Sequence, residues 1–464
     1  MLILYSAGSR RPENAVSTLF FVTDYMKRLL SIVLLASALG ASAQVHSYVD
    51  QQLDSLKSSH KVITFGGQET GQGVSQVPVD SVRRLVDAFY YDQFRHFQDP
   101  AAPYFLFMSK DAQLAMGVGG CVRMRAYFDW GGAVNSSGFA PYLIDINPNP
   151  RHDRAFGTSP AGTSLFFRVI GRNKRFGNYQ LYIEANFNGY ERRDFHLKKA
   201  YAVINNWTIG YASSTFSDPA AVPPTVDAQG PNNKVSPTNV LVRWIKPFGK
   251  RWSVALSAET PSSNITEEDA VCESVDDWMP DFAAFVQYEW SQTAHVRLAG
   301  ILRTLPYRNM VEGKNRNKAG WGVQLSSVLH PTRQITFYGS VNGGKGYESL
   351  GGDLQIGKYD LIPDPRHPGE MYAPAAVAWN VGLQYNFTPS LFVSANYSQS
   401  HYMPHGSEMA PDEYKTGRVI AANVFWNLTP RIQVGAEFDM GQRVNHDGAS
   451  RWARRASAMA QFSF

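Results

Sequence analysis

The end of the chain constrains it most. From Arg455 to Phe464 the residues alternate: Ala456, Ala458, Ala460, Phe462 and Phe464 on one side, Arg455, Ser457, Gln461 and Ser463 on the other. A period of two is a strand with one apolar and one polar face. An aromatic closing a strand in register, after a secretory signal, is the pattern of a bacterial outer-membrane β-barrel.

The signal is readable. Met26-Lys27-Arg28 is a positive n-region, Leu29 to Leu39 an apolar h-region, and Ala41-Ser42-Ala43 a cleavage site, which predicts a mature start at Gln44. The h-region is too short to span a bilayer as a helix, which takes about 20 apolar residues. Residues 1–25 read as an extension upstream of the true start at Met26, and no Cys follows the cleavage site to mark a lipoprotein.

Mean hydropathy is only −0.28, while aromatics reach 13%. A transmembrane barrel hides apolar residues in alternation and keeps mean hydropathy low. Net charge is +5. Residues 1–43 carry Arg10, Arg11, Lys27 and Arg28 against Glu13 and Asp24, a surplus of two that leaves +3 on the mature chain. That balance argues against a nucleic-acid partner. Cys121 and Cys272 fall on a strand and a distant loop, form no metal pattern, and read as free thiols.

The expected organisation is residues 1–43 as extension and signal, 44–111 as a periplasmic segment, and 112–464 as the barrel. Gln44 to Pro78 reads as flexible. Val79, Val82, Leu85, Val86, Phe89, Tyr90 and Phe97 recur at three and four residues and predict an amphipathic helix, ended by Asp99-Pro100. It either packs under the barrel or joins protomers as a coiled coil. Strands are predicted at 113–128, 163–171, 178–188, 195–204, 207–215, 239–246, 251–260, 281–290, 294–304, 320–329, 333–342, 375–386, 391–401, 416–427, 431–441 and 452–464. The fold class is therefore all-β: a transmembrane antiparallel β-barrel of about 16 strands with a short N-terminal periplasmic helix. Short turns such as Asn386-Phe387-Thr388-Pro389 and Asn427-Leu428-Thr429-Pro430 alternate with the long connections 129–162, 214–238, 261–280, 305–319, 343–374, 402–415 and 442–451. Short periplasmic turns and long extracellular loops are the barrel pattern.

A basic residue on the lipid face near mid-membrane costs about 2–4 kcal/mol, so the charged face must line the lumen. Parity then gives the pore-lining candidates Arg123, Arg125, Arg168, Lys198, Arg243, Arg297 and Arg303, with Arg455. Basic rings favour anions, but Glu184, Glu259, Glu289, Glu437 and Asp439 share the same faces, so an anion-selective wall and a balanced wet wall both remain open. Charge reversal at Arg297 and Arg303 is expected to move selectivity towards cations if both line the pore. Lys199 falls on the lipid face, which requires either a bulge or cover from a neighbouring subunit. The acidic 261–280 connection is either solvated or a divalent site.

The 214–238 connection, with Ser214, Asp218 and Asp227, is rich in proline. It is read as a constriction loop folded into the barrel, or else as an exposed floppy loop. Asp99-Pro100-Ala101-Ala102-Pro103-Tyr104-Phe105-Leu106-Phe107-Met108-Ser109-Lys110-Asp111 followed by Gly117-Val118-Gly119-Gly120 resembles the start of the DcaP-like trimeric outer-membrane porins. Leu197-Lys198-Lys199-Ala200-Tyr201 through Trp207-Thr208-Ile209-Gly210, then Ser213-Ser214-Thr215-Phe216-Ser217-Asp218-Pro219 and Pro224-Thr225-Val226-Asp227 with Gly230-Pro231, is similar to that family's fifth strand and constriction loop. The resemblance implies a homotrimer of sixteen-stranded barrels in outer-membrane lipid, an N-terminal coiled coil, Lys199 at a subunit interface, and passive uptake of small hydrophilic, often anionic solutes.

No catalytic residues, metal site or cofactor are expected. His196, His295 and His401 offer no Ser/His/Asp arrangement that marks an enzyme. A surface adhesion or binding barrel using the long loops is the other alternative.

Overall fold

The computed structural model describes residues 46–58, 61–65, 105–109, 113–134, 136–173, 175, 177–187, 194–404 and 411–464. The helix predicted at 79–97 lies outside them.

Sixteen antiparallel strands close into a barrel. The wall runs Leu114–Trp130, Ser164–Asn173, Gly177–Phe187, Phe195–Ile204, Trp207–Ser213, Thr238–Phe248, Trp252–Glu259, Asp281–Glu289, His295–Asn309, Lys314–Leu329, Ile335–Lys345, Ala375–Asn386, Leu391–Met403, Tyr414–Thr429, Ile432–Asn445 and Ser450–Ser463. The last strand pairs with the first from Arg454 opposite Trp130 to Ser463 opposite Cys121. Phe464 completes the seam, its backbone exchanging two 3.0 Å hydrogen bonds with Gly120. Below that point Phe105–Ser109 takes over the same edge of the first strand, and Lys61–Phe65 pairs parallel with it. The seam thus leaves no open edge where an unpaired ladder would face an apolar medium.

Alternation sorts the side chains. Val296, Leu298 and Leu302 of the ninth strand face outwards, and His295, Arg297 and Arg303 are buried inside. Trp207, Trp252, Tyr385 and Trp426 are exposed at the short-turn end, where interfacial aromatics gather.

Four sequence expectations change. Lys199 is not on the outer face: a bulge between Glu184 and Ala185 places two residues of the fourth strand opposite one, and turns Lys199 inwards to 6% exposure. The bulge removes a cation from a face where it would be costly. The 129–162 connection is not all loop, because Arg154–Ser159 pairs with the outer half of the first strand and extends the second. In the 261–280 connection, Cys272–Ser274 likewise extends the wall beside the ninth strand. Both cysteines are free.

Lastly, Gln44 to Pro78 is not uniformly irregular. Helix α1 spans Tyr48–Ser58. Ser47 and Asp50 cap it reciprocally, the Ser47 backbone N–H and hydroxyl both donating to Asp50 and the Asp50 N–H donating to the Ser47 hydroxyl. The helix lies across the short-turn end. Tyr48 N donates to the Arg333 carbonyl at 2.9 Å, Thr293 Oγ1 donates to Asp50 Oδ1 at 2.7 Å, and Gln52 reaches the Pro389 carbonyl.

Removing residues 462–464 deletes the seam bonds to Gly120 and Cys121. The expected result is loss of most of the folded band in a heat-modifiability gel; an undiminished band contradicts this account of closure.

Candidate functional site

The interior is polar, and a buried charge survives only when paired and hydrogen-bonded. The loop after the fifth strand supplies many of the partners. Ser214, Thr215, Phe216, Ser217 and Asp218 are all buried, as are Val226, Asp227, Asn232 and Asn233. The loop therefore runs inside the barrel.

Two locks hold it. At the first, Asp218 meets His295 Nε2 at 2.8 Å and the hydroxyl of Ser326, with Arg297 Nη1 3.6 Å away. Arg297 also donates to the Ser217 carbonyl at 2.7 Å and to Gln287 at 2.7 Å, and lies over the Phe285 ring. Burial alone would raise the Asp218 carboxyl, but Arg297 and His295 outweigh it and hold it well below the usual carboxylate range. At the second, Arg455 donates to Asp227 Oδ2 at 2.9 Å and to both Asp129 oxygens at 2.6 and 2.9 Å. Glu437 accepts the backbone N–H groups of Val226 and Asp227. Between the locks, Asn233 donates to Ser340 and Asn380, and Asn232 N donates to Ser398.

A second connection also turns inwards. Arg303 donates to Asp281, to Asp360, and to the carbonyls of Gly346 and Ser262. Asp353 accepts from Tyr414 Oη at 2.9 Å, and its N–H donates to the Asn232 carbonyl, joining the two inward loops. Burial pushes the Asp353 carboxyl up to about 7, against the hydrogen bonds from Tyr414 and Asn232. Glu348 is buried, and burial followed by the nearby Asp360 pushes its carboxyl well above its ordinary value, against backbone hydrogen bonds at Glu348 and Tyr347.

The seven basic candidates therefore differ in role. All seven lie on the inner side, but Arg297 is enclosed in the first lock and Arg303 beneath the second inward connection. Arg243 donates to the Ser213 carbonyl at the loop's start, Arg125 to the Val226 and Ala161 carbonyls, and Arg168 to Gln180. Arg123, bonded to Gln461 at 2.7 Å, and Lys198, bonded to Glu184 at 2.8 Å and partly exposed, border a cavity of about 760 Å³ at the short-turn end. Gln51 and Ser55 of α1 border it too. Sequence parity missed Lys234: it sits on the inward loop, half-buried, within electrostatic reach of Lys198, Arg125 and Asp227. Strand periodicity carries no signal for a loop residue.

The acidic 261–280 connection bonds to its own serines, Asp277 to Ser263 and Glu267 to Ser274. Among the described residues no group of three or more His, Cys, Asp or Glu is placed to hold a metal.

A closed sixteen-stranded barrel with a loop from its fifth strand locked across the interior defines the class: a porin-type outer-membrane barrel. No protein-family model and no curated sequence matches the chain. Among solved structures it has the fold of the outer-membrane channel DcaP of Acinetobacter baumannii, with a TM-score of 0.65 at 19% identity over 76% of this chain and 98% of that one. Looser likenesses are to a loop-deleted OmpT, an outer-membrane protein of Vibrio cholerae (TM-score 0.48, 10% identity, 76% and 100% covered), and to an anion-selective porin from Comamonas acidovorans (0.47, 10%, 76% and 100%).

Breaking a buried ion pair by removing one partner costs about 3–5 kcal/mol. Asp218→Ala and Asp227→Ala should each lower unfolding free energy by an amount of that order, read from denaturant midpoints; a loss under about 1 kcal/mol would show that neither residue locks the loop. The pH dependence has a definite sign. A carboxyl raised from 3.8 to about 7 favours the folded state below its ordinary value, and that contribution is lost as pH rises towards 7. Wild-type melting temperature should therefore fall between about pH 4 and 7, with Asp353→Asn flattening part of the fall; superimposable profiles would reject the assignment.

Proposed function

We propose that the chain is an outer-membrane porin, a water-filled channel for passive diffusion of small hydrophilic solutes, exported by a cleavable signal and assembled as a homotrimer. The observation that carries this reading is the inward loop after the fifth strand: with the second inward connection it bridges the charged inner walls of a wide barrel. Sixteen-stranded barrels leave an aqueous channel, whereas smaller ones fill with side chains. The fold shared with DcaP supports the same class.

Anion preference is the finer reading. Arg123, Lys198 and Arg431 border the cavity and Lys234 lies on the loop, and Glu184 and Asp227 offset them only in part. Arg297 serves the first lock and Arg303 holds the second inward connection, so reversing them should unfold or unseat loops before it changes selectivity.

The group Ser326, His295 and Asp218 gives the enzymatic alternative no support. Ser326 and His295 both bond to Asp218, so the carboxylate sits between hydroxyl and imidazole. A nucleophile activated by histidine needs the imidazole next to the hydroxyl, and all three groups here are buried.

Planar-bilayer recording tests the proposal. Purified protein should give stepwise openings, and its reversal potential in a salt gradient should shift towards cations in Arg123→Glu/Lys198→Glu. No openings would reject the channel; an unchanged reversal potential would remove these two residues from the narrow zone.

A further inference from the structure

Helix α1 borders the cavity at the short-turn end, and what holds it there is unlike what holds the inward loops. Among its described residues only Asp50 is buried, next to the capping Ser47. Tyr48, Val49 and Leu53 are half-buried, and none of them joins the buried apolar core of the barrel. A helix of eleven residues is marginal by itself in water. With little apolar surface buried, its order rests on a few polar contacts, and an element held in that way opens at low free energy.

Those contacts come from three short turns. In the turn between Glu289 and His295, Thr293 Oγ1 donates to Asp50 Oδ1 at 2.7 Å, and Lys57 Nζ donates to Gln292 at 3.3 Å. In the turn between Leu329 and Ile335, the Arg333 carbonyl accepts from Tyr48 N, and the Arg333 guanidinium lies 5.6 Å over the Tyr48 ring. In the turn between Asn386 and Leu391, the Pro389 carbonyl accepts from Gln52 Nε2.

The first contact is backed by the wall. The Thr293 hydroxyl has one proton and donates it to Asp50, so His330 Nε2, 2.8 Å away, is the donor to Thr293. His330 Nδ1 lies 3.0 Å from Thr336 Oγ1, which fixes the ring from its other side. Asp50 thus closes the cap of α1 with one set of bonds and ties the helix to the barrel with another.

The geometry is that of a strap across an opening. Gln51, Gln52 and Ser55 of α1 border the cavity together with Cys121, Arg123 and Lys198 of the wall. Beyond α1 the chain is fixed beside the seam by the pairing of Lys61–Phe65 with Phe105–Ser109. Loss of the Thr293 and Gln52 contacts would free the helix from its turns while the chain that follows it stays tethered.

We propose that α1 is a lid over the cavity at the short-turn end, latched by Asp50 through Thr293 to His330, and that releasing the latch widens this end of the channel. The widening rests on the reading of the barrel as a channel; the movement of the lid does not.

A native thiol reports on the lid. Cys121 borders the cavity, whereas Cys272 is fully buried. The full chain in detergent is reacted with a fluorescent maleimide, and the labelled cysteine is identified by peptide mass spectrometry. Cys121 should react about tenfold or more faster in Gln52→Ala/Thr293→Val than in wild type, because the variant lacks one hydrogen bond to a carboxylate and one to a carbonyl. Both substitutions leave the Ser47–Asp50 cap in place. If the double variant does not fold, Thr293→Val alone is read in the same way. In planar bilayers the variant should spend more time than wild type at its largest conductance level. Equal Cys121 rates overturn the proposal, and so does equal acceleration at Cys272, which would mean that the whole barrel has loosened. Faster Cys121 labelling with openings identical to wild type overturns the widening. Faster Cys121 labelling in a protein that gives no openings supports the lid and rejects the channel.

Discussion

The structure depends on where charge is allowed. The outer wall is apolar, so nearly every charge of the strands must turn inwards. Inside, each needs a partner, because an unpaired buried charge is prohibitively costly. The wall supplies some of the partners, such as Asp129 for Arg455 and Asp281 for Arg303. The loop after the fifth strand completes the set: Asp218 answers His295 and Arg297, and Asp227 answers Arg455. The fold and the constriction thus have one cause. On the proposed function, a loop brought in to satisfy the wall is also the part that narrows the channel.

This explains why the lumen divides chemically. Where loops meet wall, arginines are enclosed: Arg303 reaches Asp281 and Asp360, and Arg455 reaches Asp129 and Asp227. Near the short-turn end, Arg123 and Lys198 border open space with Glu184. On the proposed function, the first group shapes the channel and the second meets what passes through it.

Much of this was legible because a strand has a fixed period. Parity from Phe464 backwards recovers the sixteen wall strands and places Arg123, Arg297 and Arg455 inside. It fails where the period breaks. The bulge at Glu184 and Ala185 moves Lys199 to the other face; a lysine on the lipid face pointed to a bulge or a subunit contact, and parity alone does not choose between them. The strand Arg154–Ser159 was hidden because Pro160 and Gly162 separate it from the run that follows. Helix α1 carried a signal in Ser47 and Asp50, the capping pair, masked by polar surroundings. The locks were not legible at all. Arg455 lies 326 residues from Asp129 and 228 from Asp227, and alternation says which way a side chain points but not what waits there.

The central claim is that the 214–238 loop narrows an otherwise open pore. Liposome swelling with uncharged sugars of graded size, comparing wild type with a variant in which residues 219–235 are replaced by a short Gly-Ser linker, tests it most directly. Wild type should admit small sugars and exclude larger ones, with the variant admitting the larger ones at higher rates. Identical size limits, or no swelling from either protein, would contradict the account.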